Sequence, residues 1–152
     1  MSSTRQLAAI MFADIEGYTS LMQEDETMAL RLLNKLRHKM ETEVSLHKGK
    51  ILEFRGDGAL CRFNSTIEGV RAAIAIQLEM LAQPIVPLRI GIHTGDIIVS
   101  GDSVFGDGVN IASRVESFAV PGSVFISARV YEDIKNQKDI QVKSLGAYSL
   151  KN

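Results

Sequence analysis

Apolar and polar positions divide the first third of the chain into a buried strand and a long helix. Residues 7–13 form a continuous apolar run that ends at Asp14, as expected for a strand buried on both faces. A polar turn over residues 14–19 follows this strand. From about residue 20 to residue 48, apolar side chains recur at helical spacing, and Gly49 is placed to end that amphipathic helix.

A hairpin comes next along the chain. Two strand-like runs, at 50–54 and 59–63, are joined by Arg55-Gly56-Asp57-Gly58, a turn in which both glycines tolerate positive φ. This spacing puts Asp57 at the tip of the hairpin.

The remainder alternates helices and strands. The capping-box pattern Ser65-Thr66-Ile67-Glu68 predicts the start of a helix that ends before two nearby prolines. The other predicted elements are strands at 88–93 and 97–99 around a turn at 94–96, a helix over 106–117, a strand at 124–126, a short helix near 127–134, and strands near 140–143 and 148–150. The order β-α-β-β-α-β with additions predicts a ferredoxin-like α+β fold, with helices flanking an antiparallel-containing sheet.

Length, charge and apolar content exclude several classes of function for this chain. With 152 residues and 45% hydrophobic content, the chain is expected to form one domain, 1–152, and, because it stops directly after a predicted strand, to belong to a longer protein. The net charge of -1 gives no general attraction to nucleic acid or to an anionic membrane. No run approaches the roughly 18 apolar residues of a membrane span, so a cytoplasmic domain is expected. The single cysteine, Cys61, is expected to pack as a small apolar residue.

Two aspartates are placed where a metal site can form. Asp14 ends the first strand, and Asp57 occupies the hairpin tip that the β-α-β-β order sets beside that strand. Two carboxylates at adjacent strand ends can hold a pair of Mg²⁺ or Mn²⁺ ions, which activate an attacking oxygen and neutralise phosphate charge. The alternative is that Asp14 caps the following helix and Asp57 serves only the turn.

The segment after Asp14 offers a place for a phosphate. Gly17, Tyr18 and Thr19 lead into the predicted helix, so their backbone N–H groups lie at its positive end. A glycine at a helix start is a weak signal alone, but a phosphate cradle beside a metal-binding carboxylate is a coherent pair.

Four sequence blocks together resemble those of a known enzyme family. They are residues 11–19 (MFADIEGYT), 55–58 (RGDG), 89–95 (RIGIHTG) and 104–117 (VFGDGVNIASRVES). In this order, and over nearly the whole chain, they resemble the signatures of class III adenylyl and guanylyl cyclases. The last block is the most specific, because Asn110 and Arg114 lie one helical turn apart on one face.

The resemblance implies a cyclase homology domain that converts a nucleoside triphosphate to a 3′,5′-cyclic monophosphate and pyrophosphate. It implies that Asp14, Asp57 and the backbone carbonyl of Ile15 bind two divalent cations, Mg²⁺ or Mn²⁺. It further implies that Asn110 orients the ribose and that Arg114 stabilises charge on the α-phosphate. In this family the aspartates and the Asn/Arg helix belong to different subunits, so the resemblance implies a homodimer with shared active sites.

Some positions depart from the family pattern. Lys143 falls where many members carry a triphosphate-binding lysine, but the residues around it match loosely, and an ordinary solvated lysine is the alternative. Asp96 stands where some members have a phosphate-binding arginine, so phosphate binding must rest on fewer cations or on other residues. His93 lies in an apolar strand, and we interpret it as structural rather than catalytic.

Two positions bear on the choice of base. Adenylyl cyclases of the family carry lysine and aspartate where this chain has Glu53 and Ser103. Glutamate at the first position resembles guanylyl cyclases and favours GTP, because an ionised carboxylate only accepts hydrogen bonds and guanine presents N–H donors. ATP is the alternative substrate, and uracil's ring N–H makes a pyrimidine nucleotide a lesser one. The structural alternative is that Glu53 only faces solvent.

Two other functions are alternatives to this interpretation. A diguanylate cyclase would carry a Gly-Gly-Asp/Glu-Glu-Phe hairpin, whereas residues 55–58 are Arg-Gly-Asp-Gly. Loss of a principal site residue would favour a catalytically inactive regulatory homologue that binds nucleotide or only dimerises. The four residues that would have to be lost are all present: Asp14, Asp57, Asn110 and Arg114.

Overall fold

A six-stranded, mainly antiparallel sheet forms the centre of the structure, a computed structural model that describes residues 3–147. The strands are β1 (Ser3–Ile15), β2 (Lys50–Arg55), β3 (Gly58–Phe63), β4 (Leu88–Ser100), β5 (Ser103–Phe105) and β6 (Ser123–Ile126). Their order is β2-β3-β1-β4-β5, and β6 pairs with β4 in parallel. The helices are α1 (Tyr18–Glu24), α2 (Glu26–Leu46), α3 (Thr66–Met80), α4 (Asp107–Phe118) and α5 (Ala128–Ile134). The predicted α+β fold class is confirmed.

The two faces of the sheet carry different layers. Alternate residues of β1, such as Met11, enter the main core with apolar residues of α2 and α3. The intervening residue Ile10 packs with Ala112 of α4 in a smaller cluster on the opposite face. Phe12 and Leu60 flank this second cluster and are only partly buried. The second face is therefore covered by one helix and keeps room for a cavity.

Glycines let α4 approach β4 closely. A Cβ on Gly91 would overlap the backbone of Glu116, and one on Gly108 would lie 2.7 Å from the carbonyl oxygen of Asp96. Both contacts are too short for any other residue, so the glycines fix the distance between helix and sheet. That distance decides how far the polar residues of α4 reach across the sheet.

The predicted long helix proves to be two helices. α1 ends at Glu24 and α2 begins at Glu26, and between them the Asp25 carboxylate accepts a hydrogen bond of 3.0 Å from the Met28 N–H. The prediction of one helix from about residue 20 to 48 was wrong because Asp25 interrupts it and caps a new start.

β4 runs without interruption through residues 94–96, where a turn was predicted. β1 and β4 have 13 residues each and pair along their full length. Gly95 makes no turn, and a Cβ there would lie 2.9 Å from Nε2 of His93, its neighbour on the same face of β4. The chain reverses further on, at Gly101, whose φ is +62°.

The C-terminal part differs from the predicted strands. Residues 140–147 have no regular secondary structure, so the predicted strand near 140–143 is absent. Ile140 packs against the main core, and residues 141–147 are all exposed. The predicted strand near 148–150 lies outside the described residues. None of the described helices combines the length and apolar character that crossing a bilayer requires. Cys61 is fully buried and packs in the main core as expected, and burial raises the pKa of its thiol to about 12.

Candidate active site

Three strands bring the predicted metal ligands together at one end of the sheet. Asp14, the penultimate residue of β1, pairs with Gly58 of β3 on one side and with Arg89 of β4 on the other. Asp57 lies in the turn between β2 and β3, and its carbonyl oxygen accepts a hydrogen bond of 3.2 Å from the Ile15 N–H. The structure thus places Asp14, Ile15 and Asp57 side by side.

The hairpin that carries Asp57 is tied to α2. Nη2 of Arg37 donates to the Gly56 carbonyl at 3.0 Å, and its guanidinium lies 5.1 Å from the ring centre of Phe54. A cation held over an aromatic face stabilises such a contact. Arg37 therefore limits how far the turn can move away from β1.

Asp14 is held by an arginine that the motifs include but that was not assigned a role. Nε and Nη2 of Arg89 donate to the two Asp14 carboxylate oxygens, both at 2.9 Å. The hydrogen bonds to Asp14 are the largest cause that raises the pKa of Arg89. A two-point ion pair of this kind is strong and directional. The signal in the sequence was a charged residue inside an apolar strand. Which residue it pairs with depends on the register between β1 and β4.

Glu116 of α4 adds a third carboxyl group to Asp14 and Asp57. Its side chain is buried, and Oε2 lies 4.0 Å from Nη2 of Arg89. Burial, followed by a hydrogen bond to Asp14 and the Asp14 charge, raises the pKa of Glu116 to about 8. Burial also raises the pKa of Asp57, and the charge of Asp14 adds to that effect. We call Asp14, Asp57, Glu116 and Arg89 the carboxylate cluster.

The carboxylate cluster is short of positive charge. Three carboxyl groups face one guanidinium, and the pKa values of two of them are raised. Within residues 3–147, no group of three or more His, Cys, Asp or Glu side chains is arranged to hold a metal ion. Mg²⁺ is commonly bound by one or two carboxylates together with water and substrate phosphates. Asp14 and Asp57 fit that role as a partial ligand set.

A separate cavity of about 470 Å³ lies on the sheet face that α4 partly covers, a volume typical of a small-molecule pocket. Its lining residues are Phe12, Leu52, Glu53, Arg55, Leu60, Asp102, Ser103, Val104, Val109, Asn110 and Ser113. Glu53, Ser103 and Asn110, predicted to contact the nucleotide, thus meet from three different elements. Asp14, Asp57 and Arg114 are not among the lining residues.

Arg114 lies one turn beyond Asn110 on α4 and is partly buried. Residues one turn apart share a helix face, so α4 presents both side chains to the same region. Within one chain the predicted metal ligands therefore lie together in one group, at Asp14, Ile15 and Asp57. The residues predicted to contact base and ribose form a second group around the cavity.

Glu53 reaches the cavity with its carboxylate already bound. The register between β2 and β3 shifts between Ile51 and Glu53, an irregularity that redirects side chains. Nε of Arg55 donates to Oε1 of Glu53 at 2.6 Å, and Nη2 donates to Oε2 at 3.2 Å. Glu53 lines the cavity, and its oxygens already have a partner within the same chain.

The β4–β5 hairpin, which carries Ser103, is linked to β2. Nζ of Lys50 donates to the Asp102 carboxylate at 2.7 Å, and this contact lowers the pKa of Asp102. Both side chains are exposed, so the ion pair contributes little to stability. It nevertheless connects the strand that bears Glu53 to the hairpin that bears Ser103.

The predicted phosphate cradle lies at a short helix. Gly17 has φ +74° and precedes α1, whose first residues are Tyr18 and Thr19. First-turn N–H groups have no acceptor within their own helix, so the N–H groups of Tyr18 and Thr19 have no partner inside α1. The cradle belongs to the seven-residue α1 instead of the long helix expected from the sequence.

Two further predicted positions lie away from the cavity. Lys143 is exposed in the irregular segment 141–147 and is not a lining residue. The ring Nδ1 of His93 lies 2.7 Å from the Ser127 hydroxyl, and burial, the largest cause, lowers its pKa. The contact with Ser127 agrees with the structural interpretation of His93.

Glu116→Gln is expected to remove a pH dependence from stability. Folding raises the pKa of Glu116 from 4.5 to about 8, so the free energy of unfolding falls as pH rises through that window. Glutamine binds no proton, so the free energy of unfolding of the variant relative to the wild type should increase with pH, by on the order of a few kcal/mol at the alkaline end.

Urea unfolding in chelator, at several pH values from about 5 to about 9, measures this difference. Glu132→Gln, on an exposed helix face, is the matched control and should track the wild type. A difference between the Glu116 variant and the wild type that stays constant with pH would contradict the prediction.

Comparisons with known proteins point to one family. A family model described as "Adenylate and Guanylate cyclase catalytic domain" matches residues 2–152. The chain is 38% identical to "Putative adenylate cyclase 3" of Rhizobium meliloti (strain 1021), over 99% of this chain and 27% of that protein. It is 28% identical to the human "Guanylate cyclase soluble subunit beta-2", over 90% and 27%. The chain thus spans about a quarter of the length of these relatives.

Solved structures agree with the sequence comparison. An adenylate/guanylate cyclase/hydrolase from Silicibacter pomeroyi is 32% identical with a TM-score of 0.89, covering 99% of this chain and 92% of that one. The adenylyl cyclase CyaB from P. aeruginosa is 29% identical with a TM-score of 0.79, covering 90% and 84%. With the signatures, the fold and these matches in agreement, the chain belongs to the adenylate and guanylate cyclase catalytic-domain family.

Proposed function

We propose that this chain converts a purine nucleoside triphosphate to a 3′,5′-cyclic monophosphate and pyrophosphate, with GTP favoured over ATP. The observation that carries the proposal is the placement of Asp14 and Asp57 side by side at the end of β1. Phosphoryl transfer of this kind needs a two-carboxylate metal site and a pocket that holds the nucleotide, and the chain carries both.

The reaction is an in-line substitution at the α-phosphorus. The ribose 3′-oxygen loses its proton and bonds to the α-phosphorus, while the bond to the pyrophosphate oxygen breaks. Two divalent cations, Mg²⁺ or Mn²⁺, would supply positive charge that favours both the 3′-oxyanion and the leaving pyrophosphate. Asp14, Asp57 and the Ile15 carbonyl are the groups of this chain that would hold them.

The other residues position the substrate. Asn110 lines the cavity and would hold the ribose, while Arg114, one turn further, would meet negative charge on the α-phosphate. The amides of residues 17–19 would receive the other phosphates. Arg89 keeps the Asp14 carboxylate oriented and neutralised before cations bind.

The active unit we propose is a homodimer with two shared sites. In one chain the carboxylate cluster and the cavity are separate groups, and α4 covers only part of the second sheet face. A second copy packed on that face by two-fold symmetry would set the cluster of each chain against the cavity of the other. A catalytically inactive regulatory domain is the alternative, and the presence of the four principal residues argues against it.

GTP preference rests on Glu53. Guanine presents N–H donors at N1 and N2 that a carboxylate accepts, whereas adenine presents an acceptor at N1. The Ser103 hydroxyl donates to guanine O6 or accepts from adenine N6 equally well, so it does not discriminate. One relative carries the name of an adenylate cyclase, which makes ATP the alternative substrate.

Asp57→Ala should abolish cyclisation and leave the fold intact, because this turn carboxylate contributes charge to a metal site and little packing. We expect product formation to fall at least about 100-fold with saturating Mn²⁺, together with an unchanged circular dichroism spectrum. Asp139→Ala, at an exposed aspartate, is the control and should stay active. Wild-type turnover in a chelator-treated, metal-free sample would contradict the two-cation mechanism.

Mixing inactive Asp14→Ala and Arg114→Ala chains should restore activity. A heterodimer has one site in which both halves are intact, so an equal mixture should recover about a quarter of wild-type turnover. Subunit exchange is followed with fluorescently labelled chains. A mixture that exchanges subunits but stays inactive would rule out the shared site.

The ratio of kcat/KM for GTP to that for ATP tests the base preference. We expect wild type to favour GTP, and Glu53→Lys combined with Ser103→Asp to shift the ratio toward ATP by at least about tenfold. The single variant Ser103→Ala serves as the control and should move the ratio little. A wild type that prefers ATP would overturn the assignment of GTP.

A further inference from the structure

The two carboxylate oxygens of Glu53 are both engaged by Arg55. The hydrogen bonds measure 2.6 Å and 3.2 Å, and both side chains line the same cavity. The residues are two apart on β2 and therefore lie on the same strand face. The contact is thus built into the strand that bears the base-reading position.

Guanine would need the same oxygens. Its N1–H and N2–H groups form a planar pair of donors, similar in spacing to the two N–H groups of a guanidinium. A carboxylate offers one forward-facing pair of lone pairs to such a fork, so a two-point contact with guanine displaces Arg55 from Glu53.

The paired side chains suit adenine better than Glu53 would alone. Three of the five guanidinium N–H groups of Arg55 are left over from the contact with Glu53. The pair therefore presents donors beside the remaining lone pairs of a carboxylate. Adenine carries an acceptor at N1 next to a donor at N6, which matches that arrangement.

The pair is weak enough to open. The side chain of Arg55 is 80% exposed and that of Glu53 38% exposed, so water competes for both. Exposed ion pairs contribute little to stability, so Arg55 can be displaced from Glu53 at a small cost in free energy. Arg55 consequently competes with guanine without excluding it.

We propose that Arg55 is a specificity-determining positioning residue that occupies the Glu53 carboxylate and thereby reduces the preference for GTP over ATP. This inference rests on the proposed function, since it concerns base reading by the same cavity. It adds Arg55 to the residues that set the base specificity of the cavity, beside Glu53 and Ser103.

The test compares wild type, Arg55→Met, Glu53→Gln and the double variant by the ratio of kcat/KM for GTP to that for ATP. Arg55→Met should raise the ratio about 2- to 5-fold, the range expected for an exposed ion pair. In the Glu53→Gln background the same substitution should leave the ratio unchanged. Because both substrates meet the same preparation, a variant that folds less well does not alter the ratio.

Two further variants sharpen the comparison. Arg55→Lys keeps the charge but loses the two-point fork, so its ratio should lie between those of wild type and Arg55→Met. Lys135→Met breaks an exposed ion pair with Glu132 away from the cavity and should not move the ratio. A GTP-to-ATP ratio that is unchanged or lower in Arg55→Met overturns the proposal. A shift of equal size when Arg55→Met is made in the Glu53→Gln background also overturns it.

The dissociation constants of 3′-deoxy-GTP and 3′-deoxy-ATP measure the base preference in binding alone, since these nucleotides lack the attacking hydroxyl and do not turn over. The Arg55→Met shift should appear in them as well. If binding shows the shift and the wild type forms no cyclic product, the proposed function fails while the role of Arg55 stands. If product forms and neither ratio shifts, the role of Arg55 fails and the function stands.

Discussion

The ion pair between Asp14 and Arg89 is the contact on which the carboxylate cluster depends. It joins β1 to β4 through two hydrogen bonds of 2.9 Å, and it places a guanidinium among the three carboxyl groups. Without that charge, Asp14, Asp57 and Glu116 would repel one another in a partly dry environment. Arg89 thus holds the Asp14 carboxylate in a fixed orientation.

The second constraint is the close packing of α4 on β4. Gly91 and Gly108 allow it, and through it one helix serves two places: Glu116 reaches the carboxylate cluster while Asn110 faces the cavity. A larger residue at Gly91 would push the helix away and disturb both. The helix therefore fixes the spacing between the charged end of β1 and the surface that would receive a nucleotide.

Elements with local signals could be predicted from the sequence. The buried run of β1, the hairpin around Gly56 and the Ser65 cap each depend on residues within one turn or strand, and the structure contains all three. Element bounds set by distant partners were predicted less well. β4 stays extended through Gly95 because β1 pairs with it throughout, a partner that no local pattern reveals.

The same division holds for the site. The sequence by itself determined the candidate site residues, because Asp14, Asp57, Asn110 and Arg114 stand in motifs whose spacing is local. Only the tertiary structure decided which charges meet. Arg89 is 75 residues from Asp14 in sequence, and Glu116 joins them because its helix, α4, packs closely on β4. Ion pairing depends on distances in space and on burial, and strand register and helix packing set both.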